Sequence, residues 1–349
     1  MKKTPAQIHR YNTGNSKLDR MTLDLIKESG ATHNADFLRE IIVTALKLHD
    51  DQMERGDIKM LTVALKELRY ALKVFYPYAH VRKAAIFGSA RTPKTDLNYK
   101  LALEFSKAMV DAGWMVVSGA ASGIMQAGNE GAGRANSFGV NIRLPFEQAA
   151  NPFIANDAKL INFKYFFTRK LIFIRESDAT VLFPGGFGTH DEGFETLTLV
   201  QTGKAAPRPI VCLDSPKNTY WSSWRNFLKK QLGDKGMIDP DDLGMIHFTH
   251  DPHDAVRVIT RFYRNYHSSR YIGDRLILRV KRALSKKRLR DLSSKYKPIL
   301  AKGKIEQYDK HFKEEDNEPH THDLSRIALY FNRRHFAKMI RLIGEINED

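Results

Sequence analysis

Apolar residues recur near every 3.6 positions through much of the first 80 residues: Phe37, Ile41, Ile42, Ala45, Leu46 and Leu48, then Leu65, Leu68, Ala71 and Leu72. That period puts each set on one helix face. Asn34-Ala35-Asp36 offers a start signal and Tyr76-Pro77-Tyr78 a stop, so residues 1–80 are expected to form a helical N-terminal extension packed on the central domain. Its charges are mixed, which argues against a DNA-binding role.

From Lys83 the period shortens. Short β-rich runs alternate with helical ones: Ala84–Phe87, a helix over Leu97–Ala112, Trp114–Val117, a helix through Asn136, Phe138–Ile142, Leu160–Phe163, a helix over Arg169–Ile174, and Ala179–Phe183. Ile210–Leu213 and Met245–Phe248 complete the strands, and His253–Tyr263 is helical again. Strands alternating with helices predict an α/β fold with a Rossmann-like, doubly wound parallel sheet, here assigned to residues 81–265. Ligands bind such sheets beyond the carboxyl ends of the strands. Glycine-containing turns fall at those ends, at Gly88, at Gly119–Gly123 and at Gly185–Gly188.

The remainder, 266–349, is expected to be a basic helical C-terminal extension. Leu276, Leu278, Val280, Leu284 and Leu289 interleave with Arg275, Arg279, Lys281, Arg282, Lys286, Lys287, Arg288 and Arg290. Such a stretch reads as a basic amphipathic helix. Either it is a solvated face packed on its own protein, or residues 275–290 contact a polyanion or anionic lipid. Glu314–His322 reads as a flexible acidic loop, and Leu324–Ile346 as a helix. No internal repeat is evident.

The richest chemistry lies in Phe183-Pro184-Gly185-Gly186-Phe187-Gly188-Thr189-His190-Asp191-Glu192. After a β-branched apolar run this is strand, glycine turn, helix. The glycines admit a ligand close to the backbone, and the helix start aims N–H groups and dipole into the same space. A phosphate is the natural occupant. Thr189-x-x-Glu192 also has the form of a capping box, but three glycines exceed what a cap requires. Glu195 lies one turn on, on the same face. Just upstream, Arg169 and Lys170 place two cations in an apolar helix, as surface points or as phosphate and sugar ligands.

Composition narrows the setting. The chain has 349 residues, 42% hydrophobic and 28% charged, as in a soluble globular protein. No apolar run reaches the roughly 20 residues of a membrane span, and Met1-Lys2-Lys3-Thr4-Pro5-Ala6-Gln7 precedes no apolar stretch of the kind a signal peptide needs. Cys212, the single cysteine, sits inside an apolar strand. A reducing cytoplasm fits all of this. A formal charge of +16 and a pI near 9.7 favour anionic partners without choosing among them. The histidines are scattered and His320/His322 lack further ligands, so no metal site is expected. No cofactor is expected either.

Four segments resemble the Lonely Guy (LOG) family of cytokinin-activating phosphoribohydrolases in its longer, type II form. They are Phe87-Gly88-Ser89-Ala90; Gly119–Ala127 with Asn129 and Gly131; Asn141–Gln148 with Asn151-Pro152; and Phe166–Lys170 followed by Pro184–Glu192 and Leu197–Lys204. The PGGxGTxxE signature is complete in the last. The resemblance covers about residues 83–260. It implies hydrolysis of the N-glycosidic bond of a nucleoside 5′-monophosphate, such as AMP or a cytokinin nucleotide, to free base and ribose 5-phosphate. Arg169 and Glu192 match the family's catalytic pair. The resemblance further implies that Gly185, Gly186, Gly188 and Thr189 hold the 5′-phosphate. It implies as well that Gly88, Ser89 and Met125 line the nucleotide pocket, with Lys170 and Glu195 alongside. The family's dimeric habit implies a homodimer or higher homo-oligomer.

The chain departs from the pattern in one loop above all. GGGPGIMEA in the family is Gly119-Ala120-Ala121-Ser122-Gly123-Ile124-Met125-Gln126-Ala127 here, Arg143 stands where an acid is usual, and His190 and Gly193 replace apolar residues. These changes leave the phosphate turn and Arg169/Glu192 intact and bear on the base pocket. Two alternatives remain beside the enzyme: a non-catalytic nucleotide-binding or sensing protein on the same scaffold, and a polyanion-associated protein acting through the basic tail. Family members often carry the label lysine decarboxylase. No site in the sequence demands the Schiff-base lysine and pyridinium partner of pyridoxal phosphate chemistry.

Overall fold

The computed structural model describes residues 11–144 and 149–348. Met1–Gln7 and the Pro145-Phe146-Glu147-Gln148 part of the family-like motif lie outside these residues. The chain divides into two compact units, Met1–Lys66 and Glu67–Asp349.

In the first unit, helices α1 (Ser16–Glu28) and α2 (Ala35–Asp50) are followed by the start of α3 (Arg55–Phe75). Asn15 caps α1 through its side chain, and Asn34 takes the N-cap position of α2 in the left-handed region, φ 57°. Arg39 on α2 is buried, donating to the Tyr11 carbonyl at 2.7 Å and pairing with Asp19 at 3.3 Å.

The second unit carries the α/β sheet. Its strands are β1 (Lys83–Phe87), β2 (Met115–Ser118), β3 (Ser137–Ile142), β4 (Leu160–Phe163), β5 (Ala179–Leu182), β6 (Ile210–Leu213) and β7 (Ile246–Thr249). They pair in the order β4-β3-β2-β1-β5-β6-β7, every pair parallel. Every residue of β1, β2, β5 and β6 is buried, which is why these strands read as continuous apolar runs rather than alternations. Connecting helices are α4 (Leu97–Asp111), α5 (Ile124–Ala132), α6 (Phe166–Glu176), α7 (Phe187–Gln201), α8 (Tyr220–Phe227) and α9 (Pro252–Phe262). Strand order reverses between β1 and β5, so the turns after these two strands flank the crevice where such sheets bind ligands.

The C-terminal region differs from the expected basic helical extension. Strands β8 (Tyr266–Ile272), β9 (Arg275–Val280), β10 (Leu300–Tyr308) and β11 (Ser325–Phe331) form an antiparallel sheet in the order β10-β11-β9-β8, with α10 (Lys286–Lys295) and α11 (Phe336–Ile346) packed around it. The basic stretch 275–290 is therefore a strand followed by the start of a helix. Leu276, Leu278 and Val280 join the main core on one side of β9, while Ile277 packs with Ile272 and Ala328 on the other. That is a period of two, and Gly273-Asp274 between β8 and β9 is the two-residue hairpin connection that goes with it. Arg279 points into the protein, where Glu315 receives its guanidinium at 2.6 Å. Glu315 is fully buried and also pairs with the fully buried Arg326 at 3.1 Å. Glu314–His322 thus folds into short 3-10 turns around a buried carboxylate, not a flexible loop.

Candidate active site

Three turns at the carboxyl edge of the sheet are tied together at Ser89. Its amide donates to the Pro184 carbonyl, its carbonyl accepts from Ile124 N, each at 3.1 Å, and its hydroxyl accepts from Arg91 N at 3.1 Å. A cavity of about 810 Å³ opens over this junction, large enough for a nucleotide. Gly88, Ser89, Met125, Arg169, Gly185, Gly186, Gly188, Thr189 and Glu192 all line it, joined by Arg91, Asn141, Leu144, Phe166, Phe187 and His190.

The glycine turn after β5 leads into α7. Its N-cap is Gly186, with no side-chain cap, so the expected capping box is absent. Thr189 is the third helical residue and Glu192 lies a further turn inside, both buried. A helix start of this kind leaves its first N–H groups without intrahelical acceptors, where an anion can be bound. Gly185 has no space for a side chain: a Cβ there would meet Thr189 Oγ1 at 2.1 Å and Ser89 N at 2.9 Å. The Tyr220 hydroxyl donates to the Gly185 carbonyl, and its oxygen accepts from His190 Nε2 at 2.7 Å. Burial lowers the His190 pKa from its usual value.

Arg169 is fixed from three sides. Its Nε donates to the Val140 carbonyl at 2.9 Å, its guanidinium lies 5.2 Å from the centre of the Phe173 ring, and it crosses Gly119, where a Cβ would stand 2.6 Å from Nη2. The helix bearing it, α6, has no side-chain cap of its own. Glu67 of α3 serves instead, accepting from Lys164 N at 2.6 Å and from the Thr168 hydroxyl at 2.7 Å.

Glu192 is 5% exposed, and burial raises its pKa from 4.5 to about 7, although the Lys170 and Arg169 charges pull the other way. A carboxyl poised there can hold or release a proton at neutral pH. Lys170 and Glu195 do not line the cavity. Lys170 stands behind Glu192, 2.7 Å from Glu195, 2.9 Å from Asp191 and 3.7 Å from Glu192. Burial works to lower its pKa, but the bonds to Glu195 and Asp191 outweigh that and raise it. Its position is that of a counter-charge for three carboxylates, and its ammonium faces those acids instead of a ligand phosphate.

Residues 117–259 match the family model described as "Possible lysine decarboxylase", under which LOG proteins fall. Over these residues the α/β core is similar to that family. No curated protein matches the chain. Among solved structures, the protein TM1055 is similar over 52% of this chain and 99% of its own, at 20% identity and a TM-score of 0.38. A molybdenum cofactor carrier protein from Chlamydomonas reinhardtii aligns over 52% of this chain and 97% of its own, at 19% identity and a TM-score of 0.37. DNA processing protein A from Streptococcus pneumoniae aligns over 74% and 99%, at 14% identity and a TM-score of 0.36. Likenesses at these scores carry no functional argument.

The decarboxylase label would require pyridoxal phosphate, and the residues of this site do not fit it. No lysine is among the described residues lining the cavity. The nearby Lys170 is held protonated by carboxylates, the reverse of what Schiff-base formation needs. Four contributors escaped the sequence reading. Glu67 lies about a hundred residues before the helix that it caps, and Tyr220 lies 30 beyond its partner His190. Asn151 and Asn129, which the sequence marks only as motif residues, form the buried network that holds the Gly119 loop. Asn151 Nδ2 donates to the Ala120 carbonyl at 3.1 Å and to Asn129 Oδ1 at 2.9 Å, and Asn129 Oδ1 also accepts from the Ser118 hydroxyl at 2.7 Å.

Proposed function

We propose that this protein hydrolyses the N-glycosidic bond of a nucleoside 5′-monophosphate, releasing free base and ribose 5-phosphate. The observation that carries the proposal is the placement of Glu192. It is a buried carboxyl with a pKa of about 7, one turn inside the helix whose N-terminus suits a phosphate, on the wall of a nucleotide-sized cavity. As the C1′–N bond breaks, its electron pair leaves with the base and positive charge builds on the sugar. Ionised Glu192 stabilises that charge and takes a proton from the water whose oxygen attacks C1′. The proton that Glu192 took from water passes, by way of solvent, to the departing base nitrogen, which restores the carboxylate and leaves free base and ribose 5-phosphate. Arg169, immobilised on Val140 and Phe173, orients the sugar hydroxyls or the leaving base. Thr189 and the amides of Gly186, Phe187 and Gly188 hold the phosphate.

The test is incubation with AMP, GMP, CMP and a cytokinin nucleotide, with chromatographic assay of free base and ribose 5-phosphate. Stoichiometric release of both products is expected for at least one nucleotide. Binding of all four without cleavage would replace the enzyme with a nucleotide sensor.

A further inference from the structure

A second concave feature lies at the opposite end of the parallel sheet. Arg82 immediately precedes β1, and Trp114 immediately precedes β2. With Arg257, Thr260, Arg261, Tyr263, Arg264 and Lys281 they line a cleft of about 550 Å³. Five of these residues are cations. From Lys281 the basic surface runs on along the chain: residues 281–304 contain ten lysines and arginines and a single acid, Asp291. Lys281, Arg282, Lys286, Lys287, Arg290, Lys295, Lys297, Lys302 and Lys304 are all exposed. Cleft and strip are continuous, because Asn265, next to Arg264, bonds both the amide and the carbonyl of Arg282, at 2.8 and 3.2 Å.

Carboxylates answer only part of this charge. Asp178 pairs with Arg82, Asp254 with Arg257, Glu348 with Arg261, and Glu345 with Lys295 and Arg288. Arg264, Lys286, Lys287 and Arg290 have no carboxylate partner among the described residues. Folding does not require the strip, since α10 holds to the core through buried Leu292 and half-buried Leu289 on its other side. We propose that the cleft and strip bind the phosphate backbone of a nucleic acid, without regard to sequence. The shape and composition favour a strand over a bilayer. Arg82 is recessed, at 23% exposure, where a headgroup plane cannot reach it. No large apolar side chain is exposed among the described residues after Met237 to enter a membrane. Trp114 and Tyr263 are buried in the cleft wall, so bases have no stacking platform and recognition rests on phosphates. The proposal is independent of the reaction at the other end of the sheet.

The experiment is fluorescence anisotropy with the full chain and labelled single-stranded RNA, single-stranded DNA and duplex DNA, each of about 20 nucleotides or base pairs, from about 50 to 200 mM KCl. Flotation with phosphatidylserine vesicles serves as the membrane arm. Two triple variants are compared, Arg261→Gln/Arg264→Gln/Lys281→Gln and Lys286→Gln/Lys287→Gln/Arg290→Gln, with thermal midpoints confirming that both fold. Binding whose logarithm falls linearly with log salt is expected, and each triple variant lowers that slope by about 2–3. A preference among the three probes then names the nucleic acid. Absence of binding to all three at the lowest salt, slopes unchanged in both variants, or capture by vesicles alone would overturn the proposal.

Discussion

A carboxyl with a raised pKa leaves a sign in both rate and stability. Unfolded, Glu192 titrates near its ordinary 4.5, and folded at about 7, so the native state holds its proton more tightly. Its favourable contribution to folding is complete below 4.5 and lost as pH rises through 7. Glu192→Gln removes the cost of burying the charge. Its unfolding free energy should therefore exceed that of the unaltered protein by on the order of 1–3 kcal/mol at pH 8, with no gain at pH 4.5, measured by urea titration at both values. The same variant should lose at least ~100-fold in kcat, and the unaltered enzyme's rate should rise with pH through an inflection near 7. At this scale the sequence was legible where residues lie in short contiguous motifs: Arg169, Thr189, Glu192 and the glycines line one cavity. It was illegible for Lys170, because adjacency to Arg169 does not reveal the three carboxylates that α7 brings to its ammonium.

Element by element, the parallel sheet was readable because its central strands are short, doubly buried apolar runs bounded by turns. The tail was misread because leucines spaced by two in β9 also satisfy a loose helical count, and only the Gly273-Asp274 turn tells the two apart. Thr189-x-x-Glu192 misled in a similar way, since the backbone enters the helix at Gly186, before the threonine. The Gly119 loop shows how an element can keep its shape with fewer glycines. Ala120 occupies the left-handed region at φ 62°, where a side chain costs roughly 1–2 kcal/mol. The Asn151 bonds to the carbonyls of Ala120 and Ala121, at 3.1 and 3.2 Å, offset it. Asn151→Ala should destabilise the fold by about 1–3 kcal/mol by leaving buried acceptors unpaired, measured by urea denaturation. It should also raise KM more than it lowers kcat, because Met125 and Arg169 both pack on this loop.

On the scale of the whole molecule, the two sheets of the second unit share one interior. A single hydrophobic cluster runs from Ala84 and Val181 through Phe262 and Leu278 to Leu329 and Ile346. Composition alone made the last 84 residues look like an appendage, because it records their charge but not which leucines face inward. A chain ending at residue 265 should therefore fail to form a cooperative core, giving a broad thermal transition and strong dye binding where the full chain melts sharply. The three tryptophans divide along the same geography. Trp221 and Trp224 sit 6.0 and 5.8 Å from the His190 ring on the side of the larger cavity, whereas Trp114 is in the wall of the basic cleft. Intrinsic fluorescence thus carries two native reporters at opposite ends of one sheet. Replacing Trp114 by phenylalanine leaves the emission of the Trp221/Trp224 end alone, so ligand binding at the two ends can be followed separately without attaching a label.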